Sequence, residues 1–188
     1  SNAPAPLNNN VESINKAKHN KAQTDRASDD SAVVNKRSAT DEKSASGALN
    51  TQITPEVLSI SVVMPTHQMM SGASLLPNLL TLGLKHGEMN IFHRHQDNAG
   101  NGAVTFSLAN MMNPGTFDLD TIETFATQGV TLFMMLPNAG NSFIVYEQML
   151  SAAKQLGKEF DAQLLDEKRN VITKQTEQHY MSRIRDFE

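Results

Sequence analysis

The stretch Met89–Ala109, which reads MNIFHRHQDNAGNGAVTFSLA, holds two alternating segments on either side of a turn-forming sequence. Residues in Met89–His95 and in Val104–Ala109 alternate in character, as they do when successive side chains point to opposite faces of a strand. Asn101-Gly102 lies between them, and this residue pair readily adopts the positive φ angles of a tight hairpin turn. The stretch therefore predicts an antiparallel hairpin, around which the remaining elements can be arranged.

Two more strands and a first helix are predicted on either side of this hairpin. Val57–Met64 (VLSISVVM) is β-branched and bounded by prolines, and Val130–Leu136 is similarly apolar, so each predicts a strand. Leucines at helical spacing in Leu75–Leu84 predict a helix between the first strand and the hairpin. Ser74 is its expected N-cap, and Gly83 lies near its expected end.

The last fifty residues predict two helices and two short strands. Apolar residues at helical spacing follow Asn141 and predict a helix that ends near Gly157. Thr173 is the expected cap of the last helix, whose C-terminal end is favourable for Arg183 and Arg185. The remaining predictions are strands at Ala162–Leu165 and Asn170–Ile172, and inward-facing side chains of the last helix at Tyr180, Ile184 and Phe187.

The resulting order of elements, βαβββαββα, predicts the fold class. Sequential antiparallel strands with helices between them favour an α+β two-layer sandwich. We expect a mostly antiparallel sheet of about six strands, with three helices on one face.

The first fifty residues differ in composition from the rest of the chain. They contain no aromatic residue and no Met, whereas all eight Phe, both Tyr and all ten Met follow Asn50. Such a segment cannot bury enough apolar surface to offset its chain entropy. We therefore expect residues 1–52 to be a disordered linker and 53–188 to be the folded domain. Ser1-Asn2-Ala3 resembles the remnant of a cleaved expression tag, which predicts that the chain starts inside a longer protein.

Composition and charge argue against several classes of function. The chain has no Cys, which removes disulfides, thiolate zinc sites and cysteine nucleophiles. Its net charge of −4 argues against a nucleic-acid partner held by a basic face. No stretch approaches the roughly 20 apolar residues of a membrane span, so we expect the fragment itself to be soluble.

The alternation of the strands assigns residues to two faces of the predicted sheet. Expected to face the helices are Val104, Phe106, Leu108, Val130, Leu132, Met134 and Leu136. Expected on the opposite face are Met89, Ile91, Thr105, Ser107, Ala109, Met111, Thr131, Phe133 and Met135. A solvated face of an antiparallel sheet should be polar, yet at least half of this second set is apolar.

Three interpretations of this apolar second face remain open. A loop or the last helix covers it, or the face assignment is shifted by one residue. Alternatively, the domain associates with itself through the patch. The third interpretation is an open groove that receives a helix of another protein. Ten Met residues suit all three, because methionine fills cores and also repacks around partners.

No group of residues predicts an enzyme or a cofactor. His93 and His95 lie two apart on a predicted strand, which is a possible start of a metal site, but a clear third ligand is missing. Recruiting His86, Asp97 or Asp118 requires assuming a tertiary arrangement. The glycines of NAGNG do not have the spacing of a phosphate loop. We therefore expect a non-enzymatic domain without a cofactor or a metal.

Several motifs resemble one protein family. GEMNIFHRH (Gly87–His95) followed by FSLANMMNPGTFD (Phe106–Asp118) is similar to the C-terminal, FtsZ-binding domain of the ZipA-like bacterial cell-division proteins. The further matching motifs, in the same order, are GVTLFMMLP (Gly129–Pro137), QMLSAAKQL (Gln148–Leu156), LLDEKRNVIT (Leu164–Thr173) and YMSRIRD (Tyr180–Asp186). The resemblance covers about residues 53–187.

The resemblance implies a fold, a partner and a location. Members of the family have a membrane-anchored N-terminus, a flexible polar linker and a C-terminal split β-α-β domain. That domain binds the C-terminal tail of FtsZ and thereby holds and stabilises the Z-ring at the cytoplasmic face of the inner membrane at the division site. The membrane contact would come from an anchor outside this sequence, and the domain itself is expected to be monomeric.

The resemblance also implies a binding site. In the family, the sheet face away from the helices is a shallow apolar cleft for the FtsZ tail. The corresponding residues are Leu58, Met89, Ile91, Ala109, Met111, Thr131 and Phe133, with Ile60 as a further candidate on the first strand. The sequence departs from the family at Asn113, where a basic residue is common. The alternative function is a self-associating module, or one that binds other helical peptides, through the same face.

Overall fold

The computed structural model describes residues 52–188 of the chain. The strands are β1 (Glu56–Val63), β2 (Met70–Ser71), β3 (Lys85–His86), β4 (Phe92–His95), β5 (Val104–Asn110), β6 (Ala126–Thr127), β7 (Gly129–Leu136) and β8 (Gln163–Leu165). The helices are α1 (Gly72–Thr81), α2 (Ser142–Phe160) and α3 (Lys174–Arg185), and single 3₁₀ turns span Glu88–Asn90 and Ile122–Thr124. The expected linker, residues 1–52, lies almost entirely outside the described residues.

Six of the strands form one antiparallel sheet in the order β3-β4-β5-β7-β1-β8. The two-residue strands β2 and β6 pair separately. The long strands β1 and β7 pair along their whole length, from Glu56 opposite Leu136 to Val63 opposite Gly129. Together with the three helices, this sheet confirms the predicted α+β two-layer sandwich.

One face of the sheet and all three helices share a single hydrophobic core. The strands contribute alternate residues to it, such as Phe106 and Leu108 of β5, because residues two apart share a face. The helices contribute Leu75 and Leu79 of α1, Met149 among the buried residues of α2, and Tyr180 and Ile184 of α3. Val104, expected in this core, is instead 38% exposed at the start of β5.

The free edge of β1 is closed by α3. Strand β8 pairs only with Ser61–Val63, so among residues 52–188 no strand adjoins the first half of β1 on that side. The Tyr180 hydroxyl donates a hydrogen bond to the Ser59 carbonyl (2.9 Å), and the Arg183 guanidinium donates to the Val57 carbonyl (3.3 Å). These two side chains take the place of a neighbouring strand, because they donate the hydrogen bonds that the backbone carbonyls of β1 would otherwise lack.

The predicted hairpin is confirmed, but its turn differs in detail. Strands β4 and β5 are connected by residues 96–103, in which Gly100 and Gly102 have the positive φ angles of 82° and 81°. The Asp97 carboxylate accepts a hydrogen bond from the Asn101 N–H (2.7 Å), which tightens the turn. The reversal therefore spreads over a longer loop than Asn101-Gly102 alone.

Several predicted boundaries were wrong. Helix α1 begins at Gly72, and its N-cap is Ser71, whose hydroxyl accepts from the Ser74 N–H (3.2 Å). Helix α2 continues past Gly157 and ends at Phe160. Its end is marked by Asp161, which adopts the left-handed conformation of a C-cap (φ 52°). The predicted strand at Asn170–Ile172 is reduced to one bridge between Val171 and Leu165.

Thr173 caps α3 as predicted. Its hydroxyl accepts from the Thr176 N–H (3.3 Å), and the Thr176 hydroxyl accepts from the Thr173 N–H (3.1 Å). This reciprocal pair is a capping box, which satisfies two of the unpaired donors at the start of the helix. The helix start is therefore determined by its local sequence.

Candidate functional site

The sheet face turned away from the helices is the candidate site, and we refer to it as the open face. Cross-strand pairing places His93, Ser107, Phe133 and Ser59 in one row across the sheet. Ala109, Thr131, Ser61 and Leu165 form the adjacent row. Both rows alternate with core residues along their strands, so their side chains share the side opposite the helices.

The polar groups in the middle of the open face bond to one another. The Ser61 and Thr131 hydroxyls lie 2.9 Å apart, and the His93 Nδ1 lies 2.7 Å from the Ser107 hydroxyl. Ser61, His93 and Ser107 are all buried although they lie on the side of the sheet opposite α1, α2 and α3. The floor of the face therefore presents polar side chains whose hydrogen bonds are already made.

Apolar side chains lie between and beside these polar groups. Ala109 and Phe133, on adjacent strands, are half-buried, and Thr131 lies between them on the same face. Met135 and Val57 are paired across β7 and β1, and they are 47% and 43% exposed. The face is therefore apolar and accessible to a partner along the length of β7.

Met111 extends the open face beyond the end of β5. Its N–H donates to the Gly129 carbonyl (3.0 Å), and its sulfur lies 3.1 Å from the position that a β-carbon on Gly129 would take, so the side chain packs against this glycine. The Arg169 guanidinium donates to the Met111 sulfur (3.4 Å). The end of the face near Met111 is thus bordered by a cation.

Met89 and Ile91 lie before β4, not within it as predicted. Met89 is in the 3₁₀ turn Glu88–Asn90 and is 71% exposed, whereas Ile91 follows the turn and is 5% exposed. The His93 Nε2 bonds to the Glu88 carbonyl (2.8 Å). Because the His93 ring lies on the open face, this bond brings the turn to the same side of the sheet.

Leu58 and Ile60 do not belong to the open face, which corrects two predicted cleft residues. Both are fully buried in the core shared with the helices. Strand β1 instead presents Val57, Ser59 and Ser61 on the open face. The alternating serines of VLSISVV were a sequence signal for this assignment, since polar residues at every second position mark the face away from the core.

The structure brings four of the seven predicted site residues to the open face or its end, namely Ala109, Met111, Thr131 and Phe133. Ile91, which is 5% exposed, follows the adjoining turn. Met89 lies in the adjoining turn and Leu58 in the core. Val57 and Ser59 were missed because the face of β1 was assigned incorrectly. Met135 was assigned to the correct face but not to the site.

The two histidines of β4 do not assemble a metal site. Their ring centroids are 6.5 Å apart, and both ring nitrogens of His93 already have hydrogen-bond partners. The His95 Nδ1 lies 2.9 Å from the Gly102 carbonyl oxygen. Between residues 52 and 188, no three His, Cys, Asp or Glu side chains come together in a way that could hold a metal ion.

Comparison with protein families identifies the relationship of this chain. Residues 56–183 match the family described as "ZipA, C-terminal FtsZ-binding domain". The chain belongs to this ZipA C-terminal domain family. The match spans β1 through most of α3 and therefore includes every strand of the open face.

Individual relatives agree with the family match. The chain is 68% identical over 148 residues to a protein of Colwellia psychrerythraea named "Cell division protein ZipA", covering 79% of this chain and 39% of the relative. It is 52% identical over 130 residues to a protein of the same name from Shewanella baltica (strain OS185), covering 69% of this chain and 36% of the relative. The chain therefore spans less than half the length of these ZipA relatives.

No helix in the described part of this ZipA-family chain combines the length and the hydropathy needed to cross a bilayer.

Proposed function

We propose that the open face binds the C-terminal tail of FtsZ as a short helix, and that the domain thereby acts as the receptor part of a cell-division adaptor. The observation that carries the proposal is the combination of exposed apolar side chains with a polar floor whose hydrogen bonds are internal. Through an N-terminal anchor outside this sequence, such a receptor would tether the Z-ring to the inner membrane.

The internal hydrogen bonds of the floor make the open face suitable for an apolar partner. An unpaired polar group that loses water on binding costs about 1–3 kcal/mol. Since Ser61 bonds to Thr131 and His93 to Ser107, a ligand can cover these groups without breaking their hydrogen bonds. Burial of Phe133, Met135 and Val57 then contributes favourable free energy with little polar desolvation.

A helix fits this face better than an added strand. The free edge of β1 is occupied by α3, so a peptide cannot extend the sheet along that half of the strand. An amphipathic helix laid over the sheet presents apolar residues at i, i+3, i+4 and i+7. We expect these residues to pack against Ile91, Ala109, Met111 and Phe133, where the small Ala109 side chain leaves room for close approach.

The expected affinity for one tail is modest. A short peptide that folds on binding loses conformational entropy, which suggests a dissociation constant on the order of micromolar, or about −8 kcal/mol. FtsZ polymers present many tails to many anchored receptors. The resulting effective concentration strengthens attachment without additional contacts.

The test is the fluorescence anisotropy of a labelled FtsZ C-terminal peptide titrated with the domain. We expect saturable binding by the wild type and at least about tenfold weaker binding by Phe133→Ala, as for a central apolar anchor. Ile144→Ala is the matched control, because Ile144 is an exposed apolar residue (55%) on the opposite layer, in α2.

Circular dichroism melts of each variant establish that it is folded. Failure of the folded wild type to bind the peptide contradicts the proposal. Equal effects of Phe133→Ala and Ile144→Ala would assign binding to a surface other than the open face.

A further inference from the structure

The turn Glu88–Asn90 has an uncommon backbone for its sequence. Met89 and Asn90 adopt φ angles of 59° and 55°, in the left-handed region that residues other than glycine rarely occupy. Two successive residues of this kind persist only when surrounding contacts hold them. Such outliers cluster at ligand-binding sites, which makes the contacts of this turn informative.

Backbone hydrogen bonds hold both ends of the turn. The Gly87 N–H donates to the Ile91 carbonyl (3.0 Å), and the Asn90 N–H donates to the Gly87 carbonyl (3.1 Å). The Phe117 N–H donates to the Asn90 carbonyl (2.8 Å). The Met89 side chain is 71% exposed, so its position is determined by the turn and not by its own packing.

His93 connects this turn to the floor of the open face. Its Nε2 lies 2.8 Å from the Glu88 carbonyl oxygen and its Nδ1 lies 2.7 Å from the Ser107 hydroxyl. A carbonyl oxygen only accepts, so Nε2 must carry a hydrogen to make this bond, whereas the Ser107 hydroxyl can either donate to Nδ1 or accept from it. The buried ring therefore bridges β5 and the residue before Met89.

We propose that His93 is a positioning residue for peptide binding, which holds the turn through the Glu88 carbonyl and so places Met89 beside the apolar part of the open face. The inference rests on the proposed function, because it assigns a role in the same site. It extends that function by one residue, His93, which lies beneath the expected peptide and acts on binding through the position of the Met89 side chain.

A double-mutant cycle on peptide affinity tests this coupling. Met89→Ala, His93→Phe and the double variant are compared with the wild type by anisotropy of the labelled FtsZ peptide. His93→Phe keeps an aromatic ring but removes both nitrogens. We expect it to weaken binding roughly three- to tenfold alone and less than about twofold in the Met89→Ala background, as coupled neighbours do.

His93→Gln is the matched rescue variant, since its amide can donate to the Glu88 carbonyl. It should recover most of the affinity that His93→Phe loses. In methyl carbon NMR spectra, the Met89 methyl signal should shift in His93→Phe and remain near its wild-type position in His93→Gln. A role of His93 in stability alone would produce neither the rescue nor the selective shift.

The wild-type protein provides a test that needs no variant, even if His93→Phe does not fold. Nitrogen NMR of the imidazole should show a hydrogen on Nε2, and an Nε2 without a hydrogen would overturn the inference. Additive effects in the cycle, with normal wild-type binding, would overturn this inference alone. A folded wild type that does not bind the peptide would overturn the proposed function and this role together.

Discussion

At the scale of single residues, the two tyrosines of the chain report on its core. Tyr146 of α2 and Tyr180 of α3 pack edge to face with ring centroids 5.9 Å apart. Burial raises the pKa of Tyr180 to about 12 and also raises the pKa of Tyr146 above its usual value. The cause is the removal of water, which disfavours the charged phenolate.

These shifts predict a loss of stability in strong alkali. Tyrosines of the unfolded chain ionise near about pH 10, whereas the folded ones remain neutral, so the stabilisation is present below that pH. It is lost as the pH rises through the folded pKa of Tyr180, about 12. The contribution of Tyr180 to the loss is no more than roughly 3 kcal/mol.

Tyrosinate absorbance measures this directly, since the chain contains only these two tyrosines. The native protein should titrate well above the midpoint that it shows in denaturant. Tyr180→Phe should leave only the Tyr146 transition. Coincident native and denatured curves would contradict the burial of both hydroxyls.

At the scale of elements, Arg183 is one of the residues that attach α3 to β1. Arg183 donates to a Glu56 carboxylate oxygen from Nε (3.1 Å) and Nη2 (2.8 Å), and from Nη1 to Glu167 (2.8 Å). Its guanidinium also lies over the Tyr180 ring at 5.6 Å. Burial opposes the charged form, but the bonds to Glu167 and Glu56 outweigh it and raise the pKa of Arg183.

Removing this side chain should loosen α3 from the sheet. We expect Arg183→Ala to lower the free energy of unfolding by about 1–3 kcal/mol, the lower part of the range reflecting partial exposure of the two carboxylates. Urea denaturation followed by circular dichroism measures the change. Arg185→Ala is the control, because Arg185 is an exposed residue in the same last turn. Equal stability of the two variants would show that the Arg183 bonds contribute nothing measurable.

At the scale of the whole molecule, the open face raises the question of self-association. The residues after Asn50 include nine basic and fourteen acidic side chains, a net charge of −5. Mutual repulsion between copies with this charge opposes a dimer. The apolar part of the face is interrupted by the polar pairs of its floor, which also limits the area that two copies could bury.

We therefore expect the domain to remain monomeric. Sedimentation velocity over the concentrations used for peptide binding should give one species with a constant sedimentation coefficient. Met111→Asp should leave that coefficient unchanged. A dimer that forms with increasing concentration and dissociates on Met111→Asp would favour the alternative function, self-association through the open face.

The fold could be predicted from local patterns to a large extent, whereas the candidate site could be predicted only in part. Alternation along the strands correctly predicted which residues of β5 and β7 lie on the open face. Ala109, Thr131 and Phe133 alternate with residues that are buried in the core. The prediction of Leu58 came from the family resemblance and was wrong, whereas the serines at alternate positions of β1 indicate that Leu58 faces the core.

The sequence by itself determined the fold class, the hairpin, the cap at Thr173 and the existence of an apolar second face. Each of these depends on residues close together in the chain, whose spacing alone defines a helix end, a turn or a strand face. The tertiary structure alone decided the turn that carries Met89 and the bonds of His93 and Arg183. These depend on groups far apart in sequence, such as Arg183 and Glu56, which meet only when the strands and helices pack together.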